Sequence, residues 1–332
     1  MDVKWKDLVL RSGLPLEYEV KVYLESKGLV PSHEFSYLRE DETGRQRAFS
    51  YDVRATMLLP SHQLEIMIEC KYRHPSVSWF FLPEQYGGID ELNPFDVYHP
   101  IYHFTQQISP LAHSSYFYPV LGPAVGKGIE VTDTETNPKS IHQAMTQLSF
   151  SFAEHIVSAI VHEVDLLLVN DIVLCHLPII VTTAKLFRLK DGVTIQDVRN
   201  ATAPQDIADP QDLVVMKQPD DPEIYGRNLD ALGQLAVERN DDLRKKMNWH
   251  NDSLEHLLQV LSRQPRAYVV LQFTEDRASF DRLLTFTKDC FNPESDLVKE
   301  ICKRHDEQDA RIAELREKLE SAKRRRENAG AT

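Results

Sequence analysis

The chain has 332 residues, of which 42% are hydrophobic, and a formal net charge of −13. This apolar content is enough for a sizeable core in one large domain or two smaller ones. The acidic balance excludes a protein that coats nucleic acid through a broad basic surface, because affinity for phosphate comes mainly from Lys and Arg. Four scattered cysteines exclude a zinc ribbon and a disulfide framework, and they predict a reducing cytoplasm.

The first 75 residues are predicted to form a helix followed by a meander of strands. Leu16, Val20 and Leu24 recur at helical spacing, which predicts an amphipathic helix over residues 14–27. Runs of alternating and β-branched residues predict three strands after it, over residues 32–40, 46–60 and 64–73, with a turn at 60–63.

The middle of the chain is predicted to alternate helices with strands after a long insertion. Residues 76–137 are rich in Pro, Gly and aromatic residues without a sustained period, so we expect an ordered insertion with short helical pieces. Apolar periodicity then predicts a helix from Asn137 or Ser140, strands at 176–189, 212–217 and 266–273, and helices at 226–262 and 276–290. No segment is predicted to span a membrane, since the most apolar stretch, residues 163–184, contains acidic residues and a proline.

We therefore expect residues 1–290 to form one α/β domain, with a core at 12–75 and 138–190 and an accessory part at 191–290. A charged helix is predicted to follow at 294–328. It carries a weakly apolar heptad seam that runs from Val298 to Ala322. This seam could join two copies of the chain in a coiled coil, or it could lie on the body of the domain.

Two charged residues interrupt the apolar third strand. Glu69 and Lys71 are two apart and therefore share a face. A symmetric hairpin around the turn at 60–63 would place Asp52 opposite Lys71 and Arg54 opposite Glu69. Two carboxylates a few ångströms apart can bind a divalent cation, and a neighbouring lysine can stabilise charge on a phosphoryl group. The alternative is a cross-strand salt bridge on the solvent face of the hairpin.

The order of these motifs carries a family resemblance. The chain presents "GLPLEYEVKVYLESKGL", then "SYDVRA", then "IECK". In this order it resembles the PD-(D/E)XK nuclease superfamily, especially its restriction-endonuclease-like, Mrr-type members. The resemblance covers residues 12–75 well and 138–187 loosely. It implies an α/β fold whose restriction-endonuclease-like core is a mixed β-sheet flanked by helices, here with a long insertion and a C-terminal helix.

The resemblance implies a Mg²⁺ site, which Mn²⁺ could also fill. Asp52 and Glu69 would be metal ligands, the backbone carbonyl of Cys70 a further ligand and Lys71 the catalytic lysine. The glutamate on the helix is expected to be a further catalytic residue and ligand. Here Glu17 follows an apolar residue as in the family.

Three residues remain as alternatives or additions to this set. Glu19 is the alternative to Glu17 and lies on the other flank of the apolar stripe. Members of the Mrr type often add a glutamine on the helix after the lysine, and the candidates here are Gln143 and Gln147.

Two functions are compatible with this sequence. The first is a metal-dependent endonuclease that hydrolyses phosphodiester bonds in DNA, with RNA not excluded, in bacterial restriction or antiphage defence. A homo-oligomer would suit the cleavage of two strands, and the C-terminal helix could bind a further protein. The second is a catalytically inactive binding or assembly module with a nuclease fold. An intact Asp52, Glu69 and Lys71 set favours the enzyme.

Overall fold

The computed structural model describes residues 2–40, 45–59, 62–84, 97–101, 121–137, 139–166, 173–217, 221–241, 258–259, 262, 265 and 267–329. Eight helices of the described residues are numbered here in chain order. They are α1 Asp2–Arg11, α2 Leu14–Ser26, α3 Ser140–Leu166, α4 Ile195–Asn200, α5 Pro204–Ile207, α6 Pro222–Glu238, α7 Ala278–Cys290 and α8 Asp296–Ala329.

The strands of the described residues form one mixed sheet. Its members are β1 Val30–Glu40, β2 Gln46–Leu58, β3 His62–Lys71, β4 Ser78–Pro83, β5 Pro100–Ile101, β6 Ala124–Val131, β7 Thr136–Asn137, β8 Val173–Thr182, β9 Lys185–Leu189, β10 Ala208–Gln211, β11 Leu213–Lys217 and β12 Ala267–Gln272. Their order is β1-β2-β3-β8-β12-β11-β6-β4-β9-β10, with β5 on β8 and β7 on β6. The predicted mixed α/β architecture, a large mixed sheet flanked by helices, is confirmed.

Strands β1, β2 and β3 form the predicted antiparallel meander, and β3 then pairs in parallel with β8. Every residue of β8 is buried, as a central strand with both faces covered requires. Strands β4 to β7 and then helix α3 lie between β3 and β8 along the chain. The carboxyl ends of β3 and β8 therefore lie side by side, and this sheet edge is where α/β proteins commonly bind ligands.

Helices cover both faces of the sheet. Helices α2 and α7 share an apolar cluster with one face, in which Val20 and Leu283 are fully buried. On the other face, α3 and α6 pack against the sheet through residues such as Leu148 and Leu232. Each of these four helices presents its apolar stripe to the sheet. Helix α2 begins where Gly13 adopts a positive φ of 85°.

The predicted hairpin register is wrong by two residues. The hairpin closes at Leu59 and His62, whose backbone groups bond to each other, instead of around residues 60–63. Arg54 therefore pairs with Met67, not with Glu69. The turn is thus shifted by one residue toward the N-terminus, which moves each residue of β2 toward a partner two positions earlier on β3 and brings Asp52 level with Glu69 instead of Lys71.

The described part of the insertion over residues 76–137 contributes strands β4 to β7 to the sheet, which the sequence did not predict. The short helical pieces stay a prediction, because residues 85–96 and 102–120 lie outside the described residues. Glycines concealed this strand character: a side chain at Gly128 would meet Phe81 and Ile141 atoms at 2.7 Å, so close packing excludes a β-branched residue there. The run at 176–189 is also corrected, since it divides into β8 and the distant strand β9.

Candidate active site

Asp52 lies at the point in β2 where the buried side chains change from one face of the sheet to the other. Tyr51 packs in the cluster with α3, whereas Val53 packs in the cluster with α2, although residues two apart on a strand normally share a face. The ladder between β2 and β3 ends at Val53. One residue beyond this pair, Asp52 Oδ2 accepts the N–H of Cys70 at 2.6 Å. This bond fixes the Asp52 carboxylate beside the end of β3.

Glu69 and Lys71 form an ion pair on β3. The Lys71 ammonium donates to Oε1 of Glu69, and it also donates to Oε1 of Gln147 on α3 at 3.0 Å. Glu69 is only 1% exposed. The predicted alternative, a salt bridge on a solvent face, is therefore wrong for Glu69, because α3 covers this side of the strand.

The two helix glutamates differ in their surroundings. Glu17 is half-buried, and the charges of Asp52 and Lys71 both act on its pKa. Glu19 is exposed and bonds to Arg277 on the loop before α7 at 2.7 Å. Of the two candidates, Glu17 is the one that the fold brings to the carboxylates.

Burial and mutual repulsion raise the pKa values of the clustered carboxyl groups. Burial, followed by the charge of Asp52, raises the pKa of Glu69 to about 7, although Lys71 opposes this shift. Burial also raises the pKa of Asp52 against the opposing effects of the Cys70 N–H and Lys71. Burial and the charges of Asp52 and Glu34 raise the pKa of Glu17. The charge of Lys71 opposes the shift in all three groups without cancelling it.

The donors in this cluster suit a hard divalent cation. Mg²⁺ is commonly held by one or two carboxylates together with waters and substrate phosphates. Oε2 of Glu69 is buried without a hydrogen-bond partner, which is a costly state that a cation would relieve. Asp52 and Glu69 are the residues that would hold such an ion. Within the described ranges, no three His, Cys, Asp or Glu side chains are arranged as a ready-made metal site.

The remaining predicted residues have distinct positions. The Cys70 side chain points into the apolar cluster on the α2 side, and its backbone lies between Asp52 and Glu69; its carbonyl remains a predicted ligand. Gln143 is exposed one helical turn before Gln147, and only Gln147 contacts Lys71. The fold therefore brings together Asp52, Glu69, Lys71, Glu17 and Gln147.

Two arginines near the motif bind buried carboxylates of the protein itself. Arg54 Nε donates to Glu65 at 2.9 Å. Arg73 forms an ion pair with Glu130, which also accepts a hydrogen bond from Trp79 Nε1 at 2.9 Å. These ion pairs join β2 to β3 and the segment after β3 to β6, so both arginines stabilise the fold around the site.

Sequence reasoning missed three groups that surround the site. Glu34 on β1 has a positive φ of 31° and raises the pKa of Asp52 and Glu17. Glu65 and His155 form a buried polar contact next to Tyr51, with 3.6 Å between Glu65 Oε2 and His155 Nε2. Glu65 could have been noticed in the sequence, because it is an acidic residue within the apolar strand β3. Nothing local in the sequence marks Glu34 or His155.

Comparison with family models, with curated proteins and with solved structures gives no match to this chain. The function must therefore be argued from the site. Among the described helices, none combines the length and the apolar character that crossing a bilayer requires.

Proposed function

We propose that the chain is a metal-dependent endonuclease that hydrolyses phosphodiester bonds in DNA. The proposal rests on the buried Glu69 carboxylate, which lies next to Asp52. One of its oxygens accepts a hydrogen bond from Lys71, and the other has no hydrogen-bond partner. A structural ion pair would satisfy both oxygens. An acidic group that is held for a cation leaves one available.

Each side chain in the cluster then has a role. Asp52 and Glu69 would hold Mg²⁺ or Mn²⁺, with Glu17 and the Cys70 carbonyl completing the set. The bound ion would supply Lewis-acid stabilisation of phosphoryl charge and lower the pKa of a bound water. The Lys71 ammonium has three donors, of which Glu69 and Gln147 take two. Its third donor would then be available to the attacking water or to a phosphoryl oxygen.

The sequence resemblance and the order of elements support the nuclease reading. A glutamate-bearing helix, a three-stranded meander, a helix and a strand parallel to β3 occur in this order along the chain, with strands β4 to β7 inserted between the meander and the second helix. A cytoplasmic location, DNA as the substrate and a role in restriction or antiphage defence are the corresponding biological proposals.

Cleavage assays test the proposal. Plasmid DNA, single-stranded DNA and RNA are incubated with the full chain and Mg²⁺ or Mn²⁺, beside Asp52→Asn, Glu69→Gln and Lys71→Ala. We expect each variant to lose at least about 100-fold in rate, the scale of removing one group that acts on the transition state. Glu25→Gln, on the exposed side of α2, is the matched control. Wild-type activity in any of the three site variants would overturn the assignment.

The alternative is an assembly module without catalysis. It is favoured by helix α8, of which Leu315 and Leu319 are 52% and 71% exposed. A wild-type chain that cleaves none of the three nucleic acids, although correctly folded, would select this alternative.

A further inference from the structure

The position of the Asp52 carboxylate depends on an irregularity in two neighbouring strands. Phe35 pairs with Tyr51 and His33 with Val53, and Glu34 between them has a φ of 31°. A positive φ is uncommon for a glutamate and persists only where the surroundings impose it. On β2 at the same level, the buried side chains change from one face to the other. Some contact must hold Tyr51 on the α3 side.

That contact is a buried polar chain between β2, α3 and β3. The hydroxyl of Tyr51 and Nδ1 of His155 are 2.8 Å apart, and neither side chain is accessible to solvent. Nε2 of His155 faces Glu65 at 3.6 Å, an electrostatic contact longer than a hydrogen bond. A neutral ring with its proton on Nε2, toward the carboxylate, leaves Nδ1 to accept the Tyr51 hydroxyl.

Glu65 anchors the chain at its far end. Its carboxylate accepts hydrogen bonds from Arg54 Nε at 2.9 Å, Thr56 Oγ1 at 3.0 Å and Gln63 Nε2 at 2.9 Å. Two of these donors lie on β2 and the third on β3, so Glu65 has little freedom to move. Through His155, this fixed carboxylate determines where the Tyr51 ring lies.

We infer that Tyr51 and His155 are positioning residues for Asp52. The hydrogen bond between them holds Tyr51 on the α3 face and thereby sets the backbone from which Asp52 reaches the Cys70 N–H and the metal position beside Glu69. The same contact fixes α3, which carries Gln147, against β2. The effect on metal binding rests on the proposed function. The effect on the hydrogen bond between Asp52 and the Cys70 N–H does not depend on it.

The variant Tyr51→Phe removes one hydroxyl and keeps the ring. Tyr268→Phe is its matched control, because the fully buried Tyr268 hydroxyl on β12 also bonds to α3, through Ser149. Two further variants act on the partner. His155→Leu removes both polar contacts, whereas His155→Asn retains an acceptor for Tyr51, so the effect of His155→Asn should be the smaller.

Two measurements on the full chain separate positioning from general stability. Mn²⁺ calorimetry should show about tenfold weaker binding for Tyr51→Phe, the scale of losing a group that supports a metal ligand, and unchanged binding for Tyr268→Phe. Hydrogen exchange at the Cys70 amide should accelerate in Tyr51→Phe and not in Tyr268→Phe, although both variants lose comparable thermal stability.

The outcomes distinguish the inference from the proposed function. Equal Mn²⁺ affinity and equal Cys70 exchange in the two variants would overturn the positioning role, even if the wild type cleaves DNA. If the wild type neither binds Mn²⁺ nor cleaves, the proposed function fails. The Cys70 exchange rates then still decide whether Tyr51 and His155 hold Asp52.

Discussion

Gln147 Oε1 lies 3.0 Å from Lys71 Nζ, so helix α3 supplies a direct contact to the charged end of β3. The amide is an acceptor that fixes one of the three ammonium hydrogens without changing the charge of the cluster. This contact orients Lys71 in addition to its ion pair with Glu69.

Gln147→Ala should lower kcat about tenfold, because a hydrogen bond to a charged group contributes at least about 1.5 kcal/mol. Gln143→Ala, one turn earlier on the same exposed helix face, should leave kcat unchanged. Single-turnover cleavage of a labelled DNA duplex measures both. Equal rates for the two variants would remove Gln147 from the site.

Metal-free protein should lose stability as the pH rises from about 4.5 to about 7. The pKa of Glu69 is raised from 4.5 to about 7 in the folded state, so the folded chain binds more protons than the unfolded chain in this window. At about 1.4 kcal/mol per pKa unit, the loss is on the order of 3 kcal/mol. Urea unfolding across this range should show a flatter profile for Glu69→Gln. A wild-type profile that is already flat would contradict the assignment.

Glu17→Gln should weaken cleavage, whereas Glu19→Gln should not. The charge of Glu17 interacts with Asp52 and Lys71, while Glu19 bonds to Arg277 on the protein surface. Because Glu17 adds charge to the metal position, its loss should raise the Mg²⁺ concentration for half-maximal rate about tenfold or more. Titration of Mg²⁺ in the cleavage assay compares the two variants, and a larger effect of Glu19→Gln would reverse the choice.

The seam of α8 should hold two copies together weakly. Val298 is 2% exposed and anchors the helix to the body, whereas Leu315 and Leu319 are largely exposed. The double variant Leu315→Glu, Leu319→Glu should halve the mass seen by light scattering. Identical masses for variant and wild type would rule out self-association through this seam.

The sequence was sufficient to predict elements with a strong period. The apolar spacing of Leu16, Val20 and Leu24 predicted α2, and β-branched runs predicted β8 and β12. The geometry around Asp52 was not accessible in this way. A one-residue error at the turn changed the partner of Asp52 on β3 by two positions, because register depends on turn closure and each strand residue carries little information about its neighbour.

Long-range contacts explain the rest of what was missed. His155 follows Tyr51 by 104 positions, and its partner Glu65 lies on a different strand. A histidine on an amphipathic helix looks the same in sequence whether it is exposed or buried, since only the packing of α3 on the sheet decides its environment. Periodicity therefore predicted the helix, and the tertiary fold gave the histidine its contact.

The parallel pairing of β3 with β8 has a consequence for how the chain folds. Lys71 O accepts the hydroxyl of Thr182 across a separation of 111 residues, so this pairing closes a long loop at a high entropic cost. A nascent chain that ends before Val173 already contains Asp52, Glu69, Lys71 and Gln147, but it lacks the strand against which β3 is buried. Because desolvation is the largest cause of the raised pKa of Glu69, we expect this pKa to be raised less before β8 has paired with β3. The site as proposed is complete only once synthesis has passed β8.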